Sequence, residues 1–304
     1  MKIRLFIKPY FGLLGPASML FILGCTGSIA WAAETVPAAG GRVQLEGSTN
    51  SPIPNISGST NRAKPKMSFT EPDPLDFNDH DGYVSLFDGV SLKGWDGNSK
   101  FWRVEDGAIV GESTRQNPSG NSYLVYRDMK ARDFTLKFEI KVLGKGGSGF
   151  QYRSQTGIPW LSAIRPEVTT NVGPINLDWM MTGPQADFWP SQIYTGQFYS
   201  ENTPMRIIAW RGQVVESFGA AKKRLMGNIG DRKALGEVVK TNDWNEYTVI
   251  ARGGTCIHIV NGQVMAVLVD DDPASSNNQP GLFGIEIESI TKLYVRNIWV
   301  KKLN

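Results

Sequence analysis

Residues 134–142 read "FTLKFEIKV", and the alternation in this run constrains the fold more than any other feature of the chain. Successive side chains of a strand point to opposite faces. Phe134, Leu136, Phe138, Ile140 and Val142 therefore fall on one side, with Thr135, Lys137, Glu139 and Lys141 on the other. Other short β-rich runs recur, among them "GAIVGES", "SYLVYR", "EYTVIARG", "TCIHIVNG", "VMAVLVD", "GLFGIEIE" and "LYVRNIWVKK", separated by Gly, Asn and Asp clusters. No long stretch carries a 3.6-residue apolar period, so few helices are expected. The expectation is an all-β domain over residues 75–304, built as a two-sheet antiparallel β-sandwich. Asn261-Gly262 is the dipeptide of a two-residue type I′ hairpin turn, whose two central positions need positive φ. Residues 154–184 fit no strand template and read as a long inserted loop, and such loops are often functional.

The N-terminal part reads differently. Lys2, Arg4 and Lys8 precede an apolar stretch from about Gly15 to Ala30, so residues 1–33 are expected to be an export leader. "AWA" at 30–32 offers a signal-peptidase site, whereas "FILGC" offers a lipobox ending at Cys25. The apolar run is short for a membrane span and is broken by Gly24, Gly27 and Ser28. Either cleavage implies an exported protein: periplasmic, secreted, or held at the membrane only through a lipid on Cys25. Residues 34–74 are rich in Pro, Gly, Ser, Asn and Thr and read as a flexible tether.

Charge and cysteine content narrow the function classes. The chain has 32 Lys+Arg against 29 Asp+Glu, and the leader holds three of the cations, so the remainder is nearly neutral. That balance excludes a concentrated basic face for nucleic acid. Beyond the leader only Cys256 remains, which cannot form an internal disulfide, so stability must come from a core.

Alternation also sorts the polar residues. In "GFQYRS" the core set is Phe150 and Tyr152, leaving Gln151 and Arg153 opposite; in "FGIEIE" Ile285 and Ile287 turn inward, leaving Glu286 and Glu288 together. The same treatment of "TCIHIV" puts the branched Ile257 and Ile259 inside. His258, one of only two histidines, then falls on the outer face with Cys256 and Val260. Arg, Gln, Glu and His on one concave face would suit a polyhydroxy or acidic ligand.

"GYVSLFDGVSLKGW", "WRVEDGAIVGE", "GGSGFQYRS", "GPQADFWPSQIYTGQFYSE", "WNEYTVIARGG…IHIVNG" and "YVRNIWVKKL", in that order over residues 80–304, resemble the 3-keto-disaccharide hydrolase family. The resemblance implies a concanavalin-A-like jelly roll acting on carbohydrate, specifically glycosides already oxidised to a ketone at C3. Such a ketone acidifies the C2 proton. A base can remove it, the enolate expels the oxygen at C1, and water adds to the resulting glycal. A divalent metal (Ca, Mg or Mn) can serve as electrophile on the ketone, and no nucleotide cofactor is expected. The resemblance assigns His258 as catalytic base, with Glu288 also catalytic where some members carry histidine. It gives Gln151, Arg153, Gln185, Trp189 and Arg211 as substrate-binding residues and Asp187 and Glu286 as metal ligands. Trp160 and Trp179 are further candidates for stacking on a sugar ring.

Two rival readings stay open. Glu286 and Glu288, alternate on one strand and so about 6–7 Å apart, suit glycoside hydrolysis by paired carboxylates. A non-catalytic sugar-binding module is the other.

Overall fold

A computed structural model describes residues 70–161, 177–219 and 222–303. The expected leader, most of the expected tether and the centre of the long insertion lie outside these residues. The larger sheet runs β12 (Lys223–Asn228), β11 (Gln213–Ser217), β15 (Gln263–Asp270), β14 (Thr255–Val260), β13 (Asn245–Arg252), β6 (Phe134–Leu143), β17 (Thr291–Lys302), β4 (Ala108–Ser113), β3 (Trp102–Glu105), with β1 (Val84–Ser85) also on β17. The smaller sheet runs β10 (Arg206–Ala209), β9 (Phe198–Glu201), β8 (Gly183–Phe188), β7 (Gly147–Ser154), β16 (Gly281–Glu288), β5 (Ser122–Ala131), β2 (Trp95–Asp96). Every neighbouring pair is antiparallel except β11 and β15. Among the described residues the only α-helix is α1 (Arg232–Gly236), capped by Asp231, whose side chain accepts from the Lys233 and Ala234 amides.

The core lies between the sheets, as alternation requires. The five inward-facing apolar residues of β6, Phe134, Leu136, Phe138, Ile140 and Val142, are completely buried, each contributing about 1.5–3 kcal/mol by leaving water. They meet Phe150 and Tyr152 of β7 and Phe283, Ile285 and Ile287 of β16. Phe138 stacks on Phe150 with centroids 4.4 Å apart and on Tyr247 at 5.1 Å. The β14–β15 hairpin turns at Asn261 (φ 49°) and Gly262 (φ 78°), the positive pair expected of a type I′ turn.

One face assignment is reversed. His258 is 0 % exposed and lies in the inter-sheet core with Cys256 and Val260, while Ile257 and Ile259 are half-buried on the outer face of the larger sheet. The cause is the neighbouring strand. Gly253 and Gly254 join β13 to β14 so that Ala251 pairs with Cys256, Val249 with His258 and Tyr247 with Val260. Tyr247, Val249 and Ala251 form the buried set of β13, and their partners on β14 must share that face. Outside, Ile257 lies between Ile250 and Val267 in a cross-strand row.

Burial of the imidazole is compensated. Its Nδ1 lies 3.1 Å from the Gln197 carbonyl oxygen and its Nε2 2.9 Å from the Tyr152 hydroxyl. A carbonyl only accepts, so Nδ1 carries the proton, Nε2 is the acceptor and the Tyr152 hydroxyl donates. The ring stacks on Phe198, centroids 3.6 Å apart, and meets Tyr152 and Tyr247 edge-on. Burial therefore holds the imidazole neutral, lowering its pKa to about 3.

A lowered histidine pKa contributes stability that is complete above the unfolded value, near 6.5, and is lost as pH falls towards 3. His258→Phe should be less stable than the parent at pH 8, by about 1–3 kcal/mol for the abandoned polar partners. That gap should narrow as pH drops from 6.5 to 4, because only the parent must keep a histidine from protonating. Denaturant titrations of both proteins at pH 8, 6 and 4 measure it.

Candidate functional site

The outer face of the smaller sheet is divided in two. Over β5 and β16, the remnants of the insertion lie down as a cover. Met180 and Met181 pack with Tyr123, Val125 and Leu282, with Trp160 against them. Gly284 makes this possible, since a Cβ there would collide with the Met181 sulfur. Trp179 is tied to the same cover by its indole N–H, which donates to Asp96 at 2.9 Å. The two tryptophans therefore belong to the cover.

Over β7, β8 and β9 the face opens into a pocket of about 260 Å³ lined by Gln185, Asp187, Trp189, Tyr194, Gln197, Tyr199, Glu201, Ile207 and Glu288. Two glycines lie directly beneath its lining side chains. Gly147 and Gly149 alternate with buried residues along β7, where any side chain would obstruct the site. A Cβ at Gly149 would collide with the Gln185 amide, and one at Gly147 would come within 2.7 Å of the Trp189 ring. Trp189 is fixed by its indole N–H, donating to the Lys145 carbonyl at 2.6 Å, and by Tyr194, whose ring centroid is 5.6 Å away.

The register of β7, β8, β9 and β16 brings the polar residues together. Gln151 faces Gln185, Gly149 faces Asp187, Gln185 faces Tyr199 and Glu286 faces Gly149. The Gln185 amide donates to Asp187 Oδ1 at 2.7 Å and to Glu286 Oε2 at 2.8 Å. Its own oxygen accepts from the Gln151 amide, whose oxygen in turn takes the Ser154 hydroxyl at 2.8 Å. Glu286 Oε1 accepts from the Asn121 amide at 2.6 Å and the Tyr123 hydroxyl at 2.9 Å. Asp187 Oδ2 accepts from the Gln197 amide. Protein atoms surround most of the Asp187 carboxylate, and burial with the nearby Glu286 charge raises its pKa to about 7 against these donors.

Both oxygens of Asp187 and both of Glu286 accept from N–H or O–H donors. Among the described residues no three His, Cys, Asp or Glu side chains form a group that could hold a metal ion. The Gln185 amide joins Asp187 to Glu286 as a hydrogen-bonded pair. Glu286, only 1 % exposed beneath Gln185, is poorly placed as one of two glycosidase carboxylates.

Of the expected residues, Gln185, Asp187, Trp189 and Glu288 line the pocket, with Gln151 and Glu286 one hydrogen bond behind. His258 is beneath it, in the core. Arg153 leaves the face altogether: its backbone is left-handed (φ 51°) at an irregularity in the β7–β16 register. Its side chain turns to the end of the sandwich, donating to the carbonyls of Arg132 (2.6 Å), Asn277 (2.8 Å) and Gly253 (3.0 Å). Arg211 lines a neighbouring hollow and donates to the carbonyls of Arg232 at 2.8 Å and Thr195 at 3.2 Å, bracing the pocket wall from behind. Tyr194, Gln197, Tyr199, Glu201 and Ile207 were not expected. For Tyr199 and Glu201 the signal was present, because "FYSE" alternates them with Phe198 and Ser200 as plainly as β6 does.

A family model described as the 3-keto-alpha-glucoside-1,2-lyase-like domain matches residues 82–301. A 3-keto-disaccharide hydrolase of Bacteroides thetaiotaomicron is 35% identical over 86 residues, which is 25% of this chain and 29% of that protein. The match thus spans under a third of the relative. Among solved structures, a candidate glycosyl hydrolase from Parabacteroides distasonis is 19% identical, covering 74% of this chain and 95% of that one with a TM-score of 0.44. The carbohydrate-binding module CBM66 from Bacillus subtilis is 13% identical, covering 73% and 96% with a TM-score of 0.40.

A raised carboxyl pKa reverses the usual sign for Asp187. Its contribution is favourable below the unfolded value near 3.8 and is lost as pH rises to about 7. Asp187→Asn should therefore gain stability relative to the parent between pH 4 and 7, and the difference should be flat above. Melting both proteins across pH 4–9 checks the direction.

Proposed function

Since the chain belongs to the 3-keto-α-glucoside-1,2-lyase-like family, we propose that it cleaves glycosides carrying a ketone at C3, with Asp187 as the base at C2. The observation that carries this reading is the Asp187 carboxylate, open to the pocket and titrating near pH 7. A general base works best when its pKa lies near the working pH. An ordinary surface aspartate is too weak a base for a carbon acid, whereas one raised by burial is stronger by the same shift.

The roles follow from placement. Asp187 takes the C2 proton, and the electron pair of that C–H bond becomes the enolate conjugated with the C3 ketone. The enolate then expels the C1 oxygen, which takes a proton from solvent entering at the rim, where Glu288 lies beside Gly147. Water added across the glycal completes hydrolysis. Tyr194 and Tyr199 line the same pocket, and to them we assign donation to the ketone oxygen. Trp189 provides an aromatic wall for the apolar face of a sugar ring.

The lining also selects. It includes three carboxylates, Asp187, Glu201 and Glu288, and among the described residues no Lys, Arg or His. We assign it a substrate ring without a carboxylate or sulfate group on the strength of that described lining. Its volume suits a single pyranose.

The test is turnover of a neutral 3-keto-disaccharide. Parent activity should rise with pH through an acid limb centred near 7, following ionisation of Asp187. Asp187→Asn should lose about 10²–10⁴-fold in kcat at unchanged fold, and a 3-keto-uronide should be a poor substrate. Full activity in Asp187→Asn would remove it as the base. An inactive parent that binds the disaccharide saturably would make the protein a sugar-binding module instead.

A further inference from the structure

The donor that steadies Asp187 on its second oxygen is anchored from inside the core. Two hydrogen bonds in series reach the Gln197 backbone, from the Tyr152 hydroxyl to His258 Nε2 (2.9 Å) and from His258 Nδ1–H to the Gln197 backbone carbonyl (3.1 Å), and from that residue the side-chain amide donates to Asp187 Oδ2. Each link comes from a different place in the chain: β7, β14, and the segment entering β9. Gln197 is buried just before β9, its backbone N–H donates to the Tyr194 carbonyl at 3.0 Å, and among the described residues its side-chain oxygen has no hydrogen-bond partner. The buried imidazole thus helps to fix the backbone from which this amide reaches Asp187.

We infer that Tyr152 and His258 are positioning residues for Asp187, acting through Gln197 to keep an amide donor on its carboxylate. This rests on the proposed role of Asp187 for its catalytic meaning, though not for its structural content. A donated N–H stabilises the ionised carboxylate. It opposes both burial and the charge of Glu286, the two influences that raise the Asp187 pKa. Other groups around the carboxylate are Gln185 on its own strand, Glu288 on β16, Tyr199 and Glu201 on β9, Tyr194 in the preceding loop and Tyr247 beneath on β13. Among the described groups, the Gln185 and Gln197 amides donate to the Asp187 carboxylate. His258 itself does not titrate in the working range and keeps its donor and acceptor roles fixed.

The test separates positioning from packing with two truncations of similar size. His258→Asn keeps an amide N–H where Nδ1 stood; His258→Leu keeps bulk and loses the donor. The first readout is the ¹³C chemical shift of the Asp187 carboxyl carbon against pH in the full chain, assigned by its disappearance in Asp187→Asn. His258→Leu should raise the carboxyl titration midpoint by about half to one pH unit, the share of one N–H donor among several, while His258→Asn stays near the parent. The acid limb of kcat/KM should move by the same amount, with KM little changed. Equal shifts in both variants, or none in either, would overturn the inference. Should His258→Leu fail to fold, Tyr152→Phe carries the test: it frees the imidazole to change tautomer, so a smaller upward shift is expected, and no shift overturns the proposal. A parent without turnover but with the expected titration shifts would sink the proposed reaction and leave the positioning role standing.

Discussion

One amide holds the site together. Gln185 places its two N–H groups between the carboxylates of Asp187 and Glu286, which occupy the same buried face of the smaller sheet. The donor between them offsets part of the burial and of the repulsion that push the Asp187 carboxyl up to about 7. The amide can lie there only because Gly149 has no side chain, and its orientation is set because its oxygen is taken by Gln151. Glu286 is then satisfied from three sides and inert, whereas Asp187 keeps an opening to the pocket. Two acids of the same sheet thus acquire different tasks from their surroundings alone.

The face of a strand was legible where one side was apolar and the other was not. β6 and the Ile285–Glu288 part of β16 fall out of alternation directly, and so does the Asn261-Gly262 turn. β14 defeats the method because both of its faces carry apolar residues. The deciding information lies outside the strand, in the Gly253-Gly254 connection and in the more decisive pattern of β13. Reading "EYTVIARGGTCIHIV" as one hairpin puts His258 beside Val249 and hence inside. Arg153 defeats it for another reason. A single left-handed residue breaks the period of two, and that conformation follows from the close passage of Gly281 against the Arg153 backbone, a tertiary fact. Arg211 lies outside regular alternation, between β10 and β11, where period arguments have no purchase.

The reversal of His258 changes its chemistry more than its importance. On a solvated face an imidazole is the natural base near neutral pH. Enclosed by Phe198, Tyr152 and Tyr247 it loses that capacity, since the protonated form has no charge partner and little water. What remains is a rigid ring with one donor and one acceptor, suited to fixing a carbonyl in place. In the proposed reaction basicity passes instead to a carboxylate, which burial makes a stronger base while it makes histidine a weaker one. The same low-dielectric surroundings therefore move the two groups in opposite functional directions, and they exchange the roles that their ordinary pKa values would assign.

Where the ligand can lie is decided by what covers the sheet. Met180, Met181 and Trp160 close the outer face over β5 and β16, and the Trp189–Tyr194 pair walls the pocket beyond Gly147. The remaining opening lies over β8 and β9, bounded by Tyr199, Glu201 and Ile207. A ring whose C2 sits at Asp187 thus has covered protein on the β16 side and open face on the β9 side. In the proposed reaction the group leaving from C1 would depart along that open side, past Glu201, or over the rim at Glu288. The lining that surrounds Asp187 is therefore also the lining that the leaving group would have to pass.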